Sequence, residues 1–340
     1  VILADYAAAI QWSPTGHQLG AATVAGTAVF LDASTGAVAW QAERRARGVL
    51  SVAFCPTAPL VAIGAEDGGL VVHEIGSPTP RSIREAGGTW VARLAWSDDG
   101  KVLASAGGRV VRLWSQDHSP LGDPFEAPST ITALRWREQT ARWCAASYGV
   151  LTFLDREAPA PVAHLYFRSS LLSLDASADG RFVACGTQDP LVHVWDLDDE
   201  SNEVSLTGYP GKTASIAWSP RAPMLATAGG RDVILWDFAS GSPFQKPPKQ
   251  VRVSTQPVTA LAFLPDGTLL AATAGGVVVL LDPTADEPPV IVDTVGEPVH
   301  AVVPSPGGAL VAASASRGVV RVYAVEASAA RLAPAGPAVA

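Results

Sequence analysis

The sequence predicts an all-β chain of eight repeated four-stranded units that close into a ring, and three observations carry that prediction. A pattern of about 42 residues recurs along nearly all of the 340-residue chain. The 31 glycines and 27 prolines are spread evenly, which favours frequent turns over long helices. Between the turns, large apolar strands alternate with strands built from Ala, Ser, Thr and Gly, the composition expected where twisted sheets meet face to face. A chain of this length can bury a sizeable core without covalent staples.

The repeat is clearest in its sixth copy, where Ile216-Ala-Trp-Ser-Pro220 leads to Met224-Leu-Ala-Thr-Ala-Gly-Gly230 and then to Val233-Ile-Leu-Trp-Asp237. Leu94 to Trp114 and Leu261 to Asp282 repeat the same themes. The large residue before each first turn serves as an anchor, giving Trp12, Phe54, Trp96, Trp136, Ala176, Trp218, Phe263 and Pro304. Successive spacings are 42, 42, 40, 40, 42, 45 and 41 residues, so eight units consume the chain.

Within each unit the first turn follows the anchor with Pro or Asp and then Gly, as in Ser13-Pro-Thr-Gly16, Ser97-Asp-Asp-Gly100, Ser177-Ala-Asp-Gly180 and Leu264-Pro-Asp-Gly267. Proline presets φ and glycine takes the left-handed position, so these are hairpin connections. A second, small-residue strand follows and ends in a Gly-rich turn such as Glu66-Asp-Gly-Gly69 or Gly229-Gly230. The third strand closes on a large residue, Trp114, Trp195, Trp236 or Tyr323. One such unit could not bury both of its faces; a ring of eight buries them against each other and hides the open ends.

This pattern of anchor, Ser-Pro-Asp-Gly-type turn, Leu-Ala-Ser/Thr-Ala-Gly strand and Val-x-Leu-Trp-Asp strand resembles the WD-repeat (WD40) family of β-propellers. The resemblance covers residues 1–326 as one eight-bladed propeller, with 327–340 set aside as an Ala/Pro-rich tail. The Trp-Asp pair itself survives at Trp195-Asp196 and Trp236-Asp237, and the family's Gly-His pair is missing from its place. The family's His, Ser/Thr, Asp and Trp network can be matched in the fifth repeat alone, as His164, Thr187, Asp189 and Trp195. The resemblance also implies closure by the N-terminal strand: Val1–Ala4 is expected beside the strand near Val319–Val325, because prolines weaken the tail as a ladder member.

Catalytic chemistry is thin. The six histidines are dispersed without metal-ligand spacing, and His73 and His193 are read as half-exposed blade residues. Cys144 and Cys185 fall in small-residue strands, where a cysteine acts as a small hydrophobe. No Gly-x-Ser-x-Gly elbow or phosphate-cradling loop occurs. Leu31-Asp-Ala-Ser-Thr-Gly-Ala-Val-Ala-Trp40 resembles the docking motif of quinoprotein propellers, so a cofactor or small-molecule site on the ring axis stands as an alternative reading. A metal-handling accessory role is a further one. The leading expectation is no cofactor, no metal and no catalysis.

Composition bounds the partners. With 24 Lys+Arg against 32 Asp+Glu the net charge is -8, which argues against bulk affinity for nucleic acid or anionic membrane. No apolar run reaches the length of a membrane span. Three scattered cysteines suit a reducing, cytoplasmic setting, although the chain starts at Val1 and a removed leader is compatible with it. Few lysines beside many arginines and alanines suggest a GC-rich bacterial genome.

Loop chemistry gives the functional expectation. The connections leading into the first strands and the second hairpin turns should share one end, the lead-in end. That end collects Tyr6, Arg47, Trp90, Arg109, Tyr148, Arg168, Lys212, Arg231 and Arg317, with Arg44, Arg45 and Tyr166 nearby in sequence. Arginine and aromatic residues dominate interaction hot spots. The opposite end collects Asp98, Asp99, Asp179, Asp196, Asp198, Asp199, Glu200, Asp266, Asp286 and Glu287. The expected protein is therefore a monomeric, non-catalytic scaffold that binds an acidic protein or peptide on its lead-in end.

Overall fold

The computed structural model describes residues 1–85, 90–199, 202–326 and 331–334. Its β-structure consists of eight four-stranded antiparallel sheets, each with its strands in chain order, which is the eight-bladed β-propeller architecture. Among the described residues, helix is confined to three single 3-10 turns, Glu138–Thr140, Pro243–Gln245 and Ser316–Gly318. Two compact units, Val1–Leu171 and Leu172–Ala340, hold four blades each. The first strands are Ala7–Trp12, Val49–Phe54, Arg93–Trp96 and Ala133–Arg137 in one unit. In the other they are Asp175–Ala176, Ser215–Trp218, Val258–Phe263 and Val299–Pro304. Every predicted anchor closes its strand, save Trp136, which stands one residue before the end.

The first turns form as the sequence dictates. Gly16, Gly100, Gly180, Gly267 and Gly308 all take positive φ, between 67° and 95°. Each donates its N–H to the carbonyl three residues back, at 2.8–3.0 Å, so five repeats share one closing bond. In the fourth repeat the turn is the 3-10 segment Glu138–Thr140, and Ala141 occupies the left-handed position instead of glycine.

Packing runs from blade to blade inside each unit. Phe30 of blade 1 shares a buried cluster with Val52, Phe54, Val61 and Ile63 of blade 2. Leu70 and Val72 of blade 2 meet Trp96, Leu103 and Trp114 of blade 3, and Ala104 and Leu113 of blade 3 meet Trp143 and Leu154 of blade 4. The second unit repeats the arrangement for its three successive blade pairs.

Three expectations are corrected. The fourth strand of the last blade is Arg331–Pro334, paired in register with Tyr323–Glu326, so Val1–Ala4 does not hold that place. Pro334 is the terminal residue of an edge strand, where a missing N–H costs the ladder little. The segment set aside as tail therefore contributes a strand; residues 327–330 and 335–340 lie outside the described residues. Second, His73 and His193 are fully buried, not half-exposed. Nδ1 of His73 donates to the Ser77 carbonyl at 3.1 Å, and His193 bonds Ser205 and Glu203. Third, His164 lies on the fourth strand of blade 4 and bonds Thr152, while Thr187 of blade 5 bonds the carbonyls of Asp189 and Leu191. A network of that kind forms instead in blade 6, where Trp236 Nε1 donates to Tyr209 Oη at 3.0 Å and to Thr227 Oγ1 at 3.2 Å. A tyrosine from the lead-in loop stands where the histidine was expected, and burial pushes its phenol up to about 12.

Two predictions follow from the packing. Deleting residues 331–340 should lower the melting temperature more than deleting residues 1–4, because it uncovers the edge of Val320–Glu326; calorimetry on the two truncations decides between the two closures. Burial lowers the pKa of His73, with bonds to Ser77 and Thr79 opposing it less strongly. The folded chain thus holds the ring neutral, and stability is retained above the unfolded value of about 6.5 and lost as pH falls toward the lowered folded value. The loss of melting temperature between roughly pH 7.5 and pH 5.5 should be smaller in His73→Gln than in the parent.

Candidate interaction face

Backbone hydrogen bonds bring the two predicted loop sets together blade by blade. Arg45 N–H donates to Gly26 O, Val91 to Ala65 O, Ala127 to Arg109 O and Leu171 to Ser147 O. In the second unit Thr213 donates to Thr187 O, Val258 to Gly230 O and Val295 to Gly276 O. Each lead-in connection is thereby laced to a second hairpin turn, as the sequence pattern requires.

Glycines at the ends of second strands form the seats for these connections. A Cβ on Gly107 would lie 1.8 Å from the carbonyl oxygen of Trp90, and one on Gly186 would lie 1.9 Å from that of Thr213. Only a missing side chain lets the chain lie so close. Trp90 is thus held by its backbone while its ring stays 37% exposed.

The first unit carries six of the predicted site residues. Arg47, Trp90, Arg109, Tyr148 and Arg168 are exposed and Tyr6 is half-buried. Arg109 is taken up by Glu126 at 2.6 Å, and the neighbouring Arg45 by Asp67 at 2.6 Å. Among the described residues, Arg47 and Arg168 form no ion pair. Tyr148, at the start of the third strand of blade 4, and Tyr166, on its outer strand, are 60% and 70% exposed. The second unit carries the other three: Lys212, Arg231 and Arg317 are all exposed, and Arg317 faces Glu297 at 3.4 Å.

The acids of the opposite turns are largely committed. Asp99 accepts from Ser97 Oγ and from the Lys101 N–H, and pairs with Arg156. Asp179 accepts from Ser177 Oγ and Arg181 N–H, which hold its carboxyl below the usual range. Asp196 receives a two-pronged contact from Arg181 at 3.0 and 2.7 Å, and that contact lowers its pKa first, with Asn202 adding to it. Glu200 lies outside the described residues.

Other chemistry finds structural uses. In the quinoprotein-like stretch, Asp32 Oδ1 accepts from the hydroxyls and N–H groups of Ser34 and Thr35, bringing its pKa to about 2, with the Ser34 hydroxyl foremost. Gly36 closes that turn on Asp32 O, and Trp40 stacks on Phe30 with ring centroids 3.9 Å apart. All three cysteines are buried, and burial raises the Cys144 thiol to about 12. Among the described residues, no group of three or more His, Cys, Asp or Glu is arranged to hold a metal ion. The sequence reading missed His300, which lines one recess with Lys212 and Gly229; its position two residues into a first strand was the available signal.

The family model described as Anaphase-promoting complex subunit 4 WD40 domain matches residues 52–139, and that for WD domain, G-beta repeat matches 161–196 and 246–282. Anaphase-promoting complex subunit cdc20 of Dictyostelium discoideum is 25% identical over 162 residues, 45% of this chain and 32% of that one. WD repeat-containing protein slp1 of Schizosaccharomyces pombe is 25% identical over 198 residues, 55% of this chain and 39% of that one. WD repeat-containing protein VIP3 of Arabidopsis thaliana is 29% identical over 184 residues, covering 54% and 49% respectively. The matches thus span less than half the length of these relatives. The crystal structure of the computationally designed Ika8 protein superposes with a TM-score of 0.79 at 18% identity, over 95% of this chain and 98% of that one, a likeness of fold.

The glycine seat gives a direct test. Gly107→Ala must displace the Trp90 carbonyl, so it should cost about 1–3 kcal/mol of stability and shift Trp90 fluorescence. Alanine at Gly211, where a Cβ meets nothing within 4 Å, should leave both unchanged.

Proposed function

Because the chain is a divergent WD40-type propeller, we propose that it is a non-catalytic scaffold that holds an acidic protein or peptide on its lead-in end. The observation that carries this reading is the contrast in charge commitment between the two loop sets. In the first unit Arg47 and Arg168 are exposed, as are Trp90, Tyr148 and Tyr166, and in the second Lys212 and Arg231 are exposed; none of these four cations forms an ion pair among the described residues. Asp99, Asp179 and Asp196 instead cap turns and hold arginines. Arginine can grip a partner carboxylate with two parallel bonds, and an exposed tryptophan can bury an apolar group. Propellers of this family are typically interaction platforms, and one relative is named as a subunit of a multiprotein complex. Three buried cysteines suit work in a reducing compartment such as the cytoplasm.

Affinity capture from native lysate with mass spectrometry identifies the partner. Binding to it should weaken at least about tenfold in the Arg47→Glu, Trp90→Ala double variant and persist in Asp198→Lys, Asp199→Lys. Association should also slow as salt rises. The opposite pattern between the two double variants would assign the interface to the acidic turns.

A further inference from the structure

The second unit contains a recess that the sequence reading did not foresee. It has a volume of about 550 Å³ and is built from the lead-in loop and second hairpin of blade 6 and the first strands of blades 7 and 8. Ala228 and Val258 are its buried floor, flanked by Gly229 and Gly230. Pro210, Ala214 and Pro257 stand exposed around it, and Lys212 and His300 are its two basic groups, with no carboxylate in the lining.

The recess is fixed in shape. Val258 N–H donates to Gly230 O at 2.7 Å, and Ala274 N–H to Pro257 O at 2.9 Å. Thr259 Oγ1 donates to Val299 O at 2.6 Å, tying the two blades beside the cavity, and His300 Nε2 bonds Ser316 Oγ at 2.9 Å. Asp232, next to Arg231, is held by Arg252 and Gln250, and Glu297 faces Arg317. The lining is thus largely apolar with Lys212 as its charged group, and Arg231 follows Gly230 in the chain. The size of the recess suits one or two side chains of a peptide.

We propose that this recess is a docking pocket for a peptide segment in which an apolar side chain stands beside an aspartate or glutamate. The apolar group covers Ala228 and Val258, and the carboxylate meets Lys212, with His300 as the other basic group of the lining. The proposal rests on the reading of the lead-in end as the binding surface and names the partner chemistry at one place on it. Both substitutions that test it are at exposed positions, Lys212→Glu reversing the charge and Ala214→Trp filling the space.

The test is panning of a random dodecapeptide phage library on the full chain, followed by fluorescence-polarisation titration of the selected peptides. Selected sequences should share an apolar residue within two positions of Asp or Glu. Their affinity should fall at least about tenfold in Lys212→Glu and in Ala214→Trp, and stay unchanged in Val38→Ala, an exposed outer-strand position of blade 1. A basic or uncharged consensus, no enrichment over an uncoated surface, or indifference to both pocket variants would overturn the pocket. If the lysate partner is lost in Arg47→Glu, Trp90→Ala but not in the pocket variants, the lead-in reading survives and the pocket falls. If acidic peptides need the pocket while the lysate partner binds through the acidic turns, the pocket stands and the wider reading fails.

Discussion

Close approach of neighbouring sheets is the constraint on which the rest of this structure depends. It is met by leaving side chains off the second strands. Leu19 to Ala22 in blade 1 and Leu60 to Ala65 in blade 2 are buried along their whole length, and most of their residues are alanine or glycine. At Gly20 a Cβ would come within 3.1 Å of both Phe30 and Phe54, one ring from each of two blades. Those rings meet edge to face at 5.8 Å, so the glycine makes room for the aromatic contact that joins the blades. The small residues contribute little apolar area themselves; they let the large ones on either side bury theirs.

A second layer of attachment repeats at the same period as the sequence. Gln11 accepts from Phe54 N–H, Trp96 Nε1 donates to Ala53 O, and Ser51 Oγ donates to Val91 O. Asp175 accepts from Trp218 N–H in the other unit, a bond equivalent to that of Gln11. Each bond spans about one repeat of chain, so each ties a blade to its successor and satisfies a polar group near the core. The polar side chains of the first strands are thereby mostly structural. That leaves the lead-in loops, which hold themselves in place through backbone bonds, able to carry side chains chosen for other purposes.

What could be read in the sequence follows this division. Turn chemistry and burial periodicity are local, and all eight anchors and five glycine-closed turns lie where local rules place them. Features that depend on distant partners were hidden. Prolines in residues 331–340 argued against a strand, yet a proline at the end of an edge strand costs little, so Arg331–Pro334 closes the last blade. His164 looked like a network histidine by spacing, while Tyr209, which joins Trp236 and Thr227, has no histidine-like signature at all. His73 occupies the position where other repeats carry arginine, and only its packing near Trp40 shows that it is buried. The candidate surface was legible as residue types on named loops; the recess beside Lys212 was not, because three repeats contribute to it.

Net charge is a poor guide to what this chain binds. The total of -8 suggests repulsion from acidic partners. Yet many carboxylates are engaged within a few residues of where they arise, as Asp32, Asp179 and Asp282 are by their own turns. Others neutralise a specific arginine, as Asp196 does with Arg181. An approaching partner responds to the charge within about a Debye length, near 8 Å at physiological salt, and not to the sum over the molecule. Within that distance Lys212 and Arg231 stand exposed without an ion pair among the described residues, and Asp232 is already matched by Arg252. The acidic total favours solubility and disfavours contact with anionic polymers in general. A small cationic patch on such a background therefore selects for a short acidic segment over a long polyanion, whose remaining charges would be repelled by the rest of the surface.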